Sequence, residues 1–449
     1  SSYDTTVNAA QTYVPAFSLE QPSKWTVNWG QDSTFAGTET AGTNTDANGI
    51  GEFKYVVPTG FLALTSKNKA DSINNNVKDE TPQKRFNMAA YVGDAATSRA
   101  ITGLGFSPDL VWFGNRSATR SMYMYDTVRG ATYGIPSDED HDNAAHTNGL
   151  LSFDSDGFTI GNKNNSNGNN ETMIAWCWKA GGAPTATNVA GAGNAPTSGS
   201  VVIDGVASTA ALAGTQPAKK ISASNKTGLS IVLFDGTGSN LTVAHGLNGA
   251  PEMVWAKSMT TGTQNFMIQH KDIQTSGAEV LYLNLDSAGG ASATLWNNTL
   301  ADSTVVSFGT GNANSNGSET IMYCWKNVPG MTKTGFYRGN ANAPPNGVYV
   351  HLGFKPALVA VKSVTQSGEW IVYDNVRHDG GNYRRYPKYW SINNPSEGGI
   401  NANRYVDFLA NGFMVHGGTA TGLVSKMNNE ADYIYLAFAE DPFKYAEAE

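Results

Sequence analysis

Glu171-Thr172-Met173-Ile174-Ala175-Trp176-Cys177-Trp178-Lys179 is the stretch whose reading decides the fold. Read as a strand, it puts Met173, Ala175 and Cys177 on one face and Ile174, Trp176 and Trp178 on the other. Both faces are apolar. A half-exposed strand alternates apolar with polar residues, so this one is covered on both sides. The stretch also returns downstream. Glu319-Thr320-Ile321-Met322-Tyr323-Cys324-Trp325-Lys326 repeats it closely, and Ala431-Asp432-Tyr433-Ile434-Tyr435-Leu436-Ala437-Phe438-Ala439 repeats it loosely.

Each closing phrase has an opening phrase ahead of it. The first is Gly105-Phe106-Ser107-Pro108-Asp109-Leu110-Val111-Trp112. It returns as Gly246-Leu247-Asn248-Gly249-Ala250-Pro251-Glu252-Met253-Val254-Trp255 and as Gly353-Phe354-Lys355-Pro356-Ala357-Leu358-Val359-Ala360. The spans Pro108 to Cys177, Pro251 to Cys324 and Pro356 to Ala437 are similar in length, so one module is used three times with its loops varied. The interval between openings far exceeds the roughly 20–50 residues of a solenoid repeat. The modules therefore read as beads, each with its own core. Trp176, Tyr323 and Leu436 are expected at one equivalent core position.

The segments between the phrases give an all-β fold of tandem sandwich modules, jelly-roll or lectin-like in type. The modules are residues 86–182, 228–330 and 331–449, the last with a C-terminal tail. In the first, Phe86 to Tyr91 and Ala100-Ile101 read as a hairpin. Asp154-Ser155-Asp156-Gly157 between Leu150–Phe153 and Phe158–Ile160 reads as another, because Asp-Gly favours a tight turn. Asn162 to Asn170 is a loop. Residues 183–227 are a Gly/Ala/Ser-rich connector with a small hairpin near Val201–Val206. In residues 1–85, Trp25–Gly30 and Gly51–Val57 read as strands ahead of a linker at 71–84, too little to close a core.

Composition narrows the functional classes. Only 15% of the 449 residues are charged, against about 25% in an ordinary globular chain, and 49 are glycine. Such a surface is polar without being charged, as in secreted and virion β-proteins. The net charge of −8 argues against nucleic-acid binding, which requires a basic footprint. No run reaches the roughly 18 apolar residues of a membrane span. The two cysteines fill matching slots in two modules and read as buried core residues.

The search for chemistry finds no Gly-x-Ser-x-Gly elbow and no phosphate-cradling loop; Gly103-Leu104-Gly105 lacks its third glycine. The seven His are dispersed without metal-ligand spacing. No catalytic residue, metal or cofactor is expected, and no enzyme. Asp138-Glu139-Asp140-His141-Asp142 alternates acids as a calcium loop does, but Asn143 and Gly149 stand where such a loop needs Gly and Glu. It reads as a solvated acidic loop. Tyr125-Asp126-Thr127-Val128-Arg129 is echoed by Tyr373-Asp374-Asn375-Val376-Arg377. Asp and Arg so placed can pair with each other or recognise a polar ligand such as a sugar; recurrence favours a structural staple. The candidate ligand or partner contacts are Tyr383, Tyr386, Tyr389 and Trp390 in an insertion of the third module. They suit stacking on sugar rings or packing into a partner surface, or else fold back over their own sheet.

These phrases, with Asn115-Arg116-Ser117, Ser152–Phe158 and Ala175–Gly182, resemble a module common in tail-fibre-like and other virion proteins of marine phages. Tyr433–Phe443 is similar to the usual ending of such chains. Asn28–Asp32 and Gly49–Phe61 resemble the final strands of the SPRY-like, lectin-type sandwich that often precedes the module, making 1–85 a partial SPRY-like segment. The resemblance implies a virion location and no particular chemistry. The expected function is that of a structural protein on the particle exterior, in a tail fibre or appendage that attaches to the host surface. A capsid-surface fibre or decoration protein, or a carbohydrate-binding or -degrading tailspike, are the alternatives. Expected partners are other virion proteins and a host surface glycan or receptor. The twice-covered closing strands point to a homo-oligomer, a trimer, whose neighbouring chains supply the second cover.

Overall fold

The computed structural model describes residues 31–35, 37–47, 49–58, 61, 63, 84–141, 143–259, 264–273, 279–342, 346–377, 383–384, 388–389, 406–416 and 425–440. The chain forms two compact units, residues 1–75 with 448–449 and residues 76–447. In the first unit Asp46 organises a turn, its Oδ1 accepting the N–H of Ile50 and its Oδ2 that of Ala63. Gly51–Val57, read as a strand, makes only a single bridge from Phe53 to Asn44. Beyond that bridge Tyr55 and Val56 point into solvent, with no partner strand among the described residues to extend a ladder. Trp25–Gly30 lies outside the described residues. Among the described residues no helix is long and apolar enough to cross a membrane.

The second unit holds all three modules. The first runs through β1 (Phe86–Val92), β2 (Arg99–Thr102), β3 (Leu110–Asn115), β4 (Tyr123–Asp126), β5 (Tyr133–Pro136), β6 (Ala144–Ala145), β7 (Leu150–Asp154), β8 (Gly157–Ile160) and β9 (Thr172–Trp178). Its large sheet has the order β1-β9-β3-β4-β5-β6 and its small sheet β2-β8-β7. The Asp-Gly hairpin forms as read, Phe153 opposite Phe158, and Gly157 is required there because a Cβ would meet the Ile101 carbonyl at 1.9 Å. The expected β1–β2 hairpin does not form. β1 pairs along its whole length with β9 and β2 with β8, so the link between them crosses from one layer to the other.

The second module contains β10 (Val201–Ile203), β11 (Val206–Ala207), β12 (Lys220–Ser224), β13 (Leu229–Asp235), β14 (Leu241–Ala244), β15 (Met253–Ser258), β16 (Met267–His270), β17 (Glu279–Tyr282), β18 (Gly290–Ala291), β19 (Val305–Phe308) and β20 (Glu319–Trp325). The order β11-β10-β12-β13-β20-β15-β16-β17-β18 faces the pair β14-β19. The supposed connector 183–227 is thus part of this module. Its hairpin β10–β11 is present, and β12 joins β10 to β13 as a continuation of the sheet.

The third module is β21 (Thr332–Arg338), β22 (Val348–His351), β23 (Pro356–Ser363), β24 (Ile371–Asp374), β25 (Tyr383–Arg384), β26 (Lys388–Tyr389), β27 (Val406–Leu409), β28 (Gly412–Val415) and β29 (Asp432–Ala439). The order β21-β29-β23-β24-β26 faces β22-β28-β27-β25. Equivalence of the modules follows from register. Leu110 lies opposite Trp178, Met253 opposite Trp325 and Leu358 opposite Phe438; Trp112, Trp255 and Ala360 lie opposite Trp176, Tyr323 and Leu436.

The modules are not separate beads. On β9, Ala175 and Cys177 face the small sheet and a private core with Phe113 and Phe158. Ile174, Trp176 and Trp178 face a second core, shared with Ile321, Tyr323 and Trp325 of β20 and Ile434, Leu436 and Phe438 of β29. Trp178, Trp325 and Phe438 close a near-equilateral triad at its centre, with centroids 5.8, 5.4 and 5.4 Å apart. Each buried ring is worth roughly 1.5–3 kcal/mol, with about 0.5–1.5 kcal/mol more from edge-to-face contact. The indole Nε1 of Trp178 and of Trp325 meets no acceptor among the described residues, so ring packing rather than polarity holds the triad. The second face of every closing strand is therefore covered by the other two modules of the same chain. The faces that suggested a homotrimer are internal, and the chain buries them without a second copy.

Candidate functional site

The recurrent Asp/Arg pair lies on the seams of this three-module ring. Asp126 ends β4; its Oδ1 accepts the N–H of Val128 and Arg129, and Arg129 Nε donates to Oδ2 at 2.6 Å. From across the seam Tyr323 of β20 donates its hydroxyl to that Oδ2 at 2.7 Å. In the third module Arg377 Nε donates to Asp374 Oδ2 at 2.5 Å, and the donor from across the seam is Trp176 Nε1 at 3.1 Å. Tyr323 and Trp176 occupy the equivalent position, so each reaches into a neighbour's carboxylate turn. In the second module His270 stands at the aspartate's place, opposite Met253 as Asp126 is opposite Leu110. Its Nδ1 accepts the N–H of Asp272, which leaves the proton on Nε2 to donate to Thr334 Oγ1 of β21 at 2.9 Å. Both ion pairs are sealed, with side chains at most 2% exposed. They fasten modules and offer no surface to a ligand.

The acidic loop read at 138–142 is solvated only in part: His141 is exposed, Glu139 and Asp140 are half-buried, and Asp142 lies outside the described residues. Asp138 is buried and accepts the N–H of Met122; burial, then the charge of Glu139, pushes it up to about 7. Lys257, wholly buried on β15, donates to the Glu139 carbonyl at 2.9 Å, and the N–H of Gln264 bonds the Asp140 carbonyl. The loop is thus docked on the second module, an attachment that local sequence does not display. Lys362 repeats the arrangement from β23, reaching the Leu285 carbonyl at 3.0 Å. Asp156 accepts the N–H of Gly103 and Gly105, so it serves turns. Among the described residues no three His, Cys, Asp or Glu converge as metal ligands.

Of the four aromatic candidates, Tyr386 and Trp390 lie outside the described residues. Tyr383 is on β25, opposite Asp407 in the small sheet, and Tyr389 on β26, opposite Ile371 in the large one. The insertion therefore adds an edge strand to each layer of its own sandwich, and the two tyrosines belong to different sheets.

Two features escaped the sequence reading. One is an asparagine just ahead of each closing strand, Asn167, Asn314 and Asn428, all buried. Its side chain holds the turn after β1, β13 or β21: Asn167 bonds Asp94 and Ala96, Asn314 bonds Thr237 and Ser239, Asn428 bonds Asn340 and Asn342. The only sequence signal is an Asn at a similar place in three Asn-rich runs.

The other is an open cleft of about 380 Å³ at one corner of the first module, where the opening phrase, the turn after β4 and the segment after β9 meet Gly205 in the β10–β11 turn of the second. Asp109 lies at its base and is 3% exposed. Its Oδ1 accepts the Thr127 hydroxyl at 3.0 Å, and its Oδ2 the N–H of Ala180 at 2.8 Å and of Gly182 at 3.1 Å. Burial pushes this carboxyl up to about 6, against the pull of those bonds and of Lys179. Ser107, Lys179 and the half-buried ring of Phe153 complete the wall.

A family model described as a domain of unknown function (DUF7483) matches residues 81–211 and again residues 193–442. Together the two matches cover well over half of the chain, which belongs to that family. No curated protein matches the chain.

Proposed function

We propose that this member of the DUF7483 family is a structural protein on the outside of a phage particle, in a tail fibre or related appendage that meets the host surface. The observation that carries the reading is the welding of three sandwiches into one body around a single aromatic core. Buried Asp126, Asp374, His270 and Lys257 are each spent on fastening one module to another. A rigid, weakly charged β-body suits a part that stands in the medium. The phrases shared with tail-fibre-like chains support the same location. In this role its partners are other virion proteins at one side and a host glycan or receptor at the other, without catalysis.

Antibody raised against the chain and applied to intact particles in electron micrographs tests the reading. Label on tail appendages is the expected result. Label spread over the capsid shell would move the chain to the decoration-protein alternative, and particles free of label and of the chain would end the virion reading.

A further inference from the structure

The same corner of the fold occurs three times, and two of the three are filled by their own side chains. In the second module Glu252 takes the place of Asp109 and accepts the N–H of Asn327 at 2.7 Å. Lys326, in the place of Lys179, lies down over Gly249 and donates to Asn248 Oδ1 at 2.6 Å. In the third, Ala357 replaces the acid, and Glu440 ties Lys355 at 2.7 Å to Asn375 at 2.7 Å across the same ground. In the first module the space stays open. There the Lys179 ammonium makes no hydrogen bond or ion pair among the described residues. A feature common to three copies is explained by the fold; this difference is not.

We propose that the first-module cleft is a saccharide site that receives one neutral pyranose ring. The proposal rests on the attachment reading for its class of ligand and on the corner's own chemistry for its place. Phe153 offers a partly exposed aromatic face to the apolar side of a sugar ring. Vicinal hydroxyls both donate and accept, and the wall presents both complements: an ammonium on Lys179, hydroxyls on Ser107 and Thr127, and the carboxylate of Asp109. The volume is at the small end of the roughly 300–1,000 Å³ of small-molecule sites, enough for a single ring rather than a long segment. An anionic sugar is disfavoured because its carboxylate would come to rest beside Asp109 as well as Lys179.

The test is a glycan array probed with the full chain, followed by titration calorimetry with a neutral oligosaccharide taken from the array. The variants are Lys179→Ala, Ser107→Ala and Phe153→Ala, each checked for an unchanged melting temperature. Neutral-sugar binding that falls about tenfold or more in Lys179→Ala and in Phe153→Ala supports the site; Ser107→Ala, at the exposed rim, then serves as a variant with little risk to folding and a smaller loss. Binding indifferent to all three, binding of acidic sugars only, or no saccharide binding at all overturns it. The particle-labelling experiment is separate: labelled appendages with an inert cleft would sink this site alone. Cleft-dependent sugar binding by a chain absent from particles would sink the attachment reading alone.

Discussion

Two seams of the ring meet the same geometric demand with different chemistry. Between the first and second modules, a buried carboxylate is held by Arg129 and by the hydroxyl of Tyr323. Between the second and third, a neutral imidazole, His270, bonds the hydroxyl of Thr334. The charged seam is hard to alter piecemeal, because removing one partner strands a buried charge. The neutral seam tolerates loss of a bond but is exposed to acid, since its imidazole can be forced to charge. A repeated fold thus repeats the position of a fastener without repeating its chemistry.

The sharpest way to break the comparison is Arg129→Met, which leaves Asp126 buried without its cation. It should cost about 3–5 kcal/mol, read from denaturant unfolding, and Asp126→Asn added to it, which removes the stranded charge but keeps an acceptor for the turn, should recover a large part of that loss. If Arg129→Met costs no more than a neutral bond, the two seams do not differ as argued. Tyr323→Phe, which removes one hydrogen bond to a charged group, should cost roughly 1.5–3 kcal/mol. A loss well below 1 kcal/mol would mean that the hydroxyl contributes little across the seam.

Acid separates the seams next. Burial, outweighing the nearby charge of Asp272, lowers His270 to about 4 from the ordinary 6.5. The unfolded chain takes up a proton near 6.5 that the folded imidazole refuses until about 4, so this group's contribution is present above 6.5 and lost as pH falls through that window. Asp109 and Asp138 act in the opposite sense. Their folded values of about 6 and 7 lie above 3.8, so their contribution is present at low pH and lost as pH rises towards those values. The curve of the whole protein mixes the two. The difference between the protein and His270→Gln isolates one, and it should shrink by up to about 1.4 kcal/mol for each pH unit between 6.5 and 4. A difference that is flat from pH 7 to 4.5 would show that His270 is not held neutral. The smallest effect expected is Thr334→Val, roughly 0.5–1.5 kcal/mol for a neutral bond; a larger loss would place the neutral seam on a par with the charged one.

Much of the fold was legible because it is written in local patterns. The opening and closing phrases gave the repeat, the two-sided apolar strand gave full burial, and Asp156-Gly157 gave a hairpin. The pattern of Ile174, Trp176 and Trp178 says that a face is covered, yet nothing in it says by what. The same pattern fits cover by another chain and cover by the other modules, and only the tertiary structure shows the second. Asp138 reads as solvated because its neighbours in sequence are acids, while the loop is pinned through the Glu139 carbonyl by Lys257, more than a hundred positions away. β12 was missed because Lys220–Ser224 has only Ile221 and Ala223 to mark it among polar residues. The cleft was half visible: Ser107–Asp109 and Lys179–Gly182 were both singled out, but only topology brings the start of one strand against the end of another.

The aromatic rings at the two extremes of the welded body stack on each other, Phe86 at the start of β1 and Phe438 at the end of β29, 4.8 Å between centroids. The polypeptide therefore enters and leaves this body through neighbouring doors. Tension pulling residue 84 away from residue 440 would fall first on that contact and on the ends of two strands, and would not run through the length of the body. A domain so mounted behaves as a pendant on its backbone rather than as a link in a chain, free to be spliced into or out of a longer protein without stretching what lies on either side.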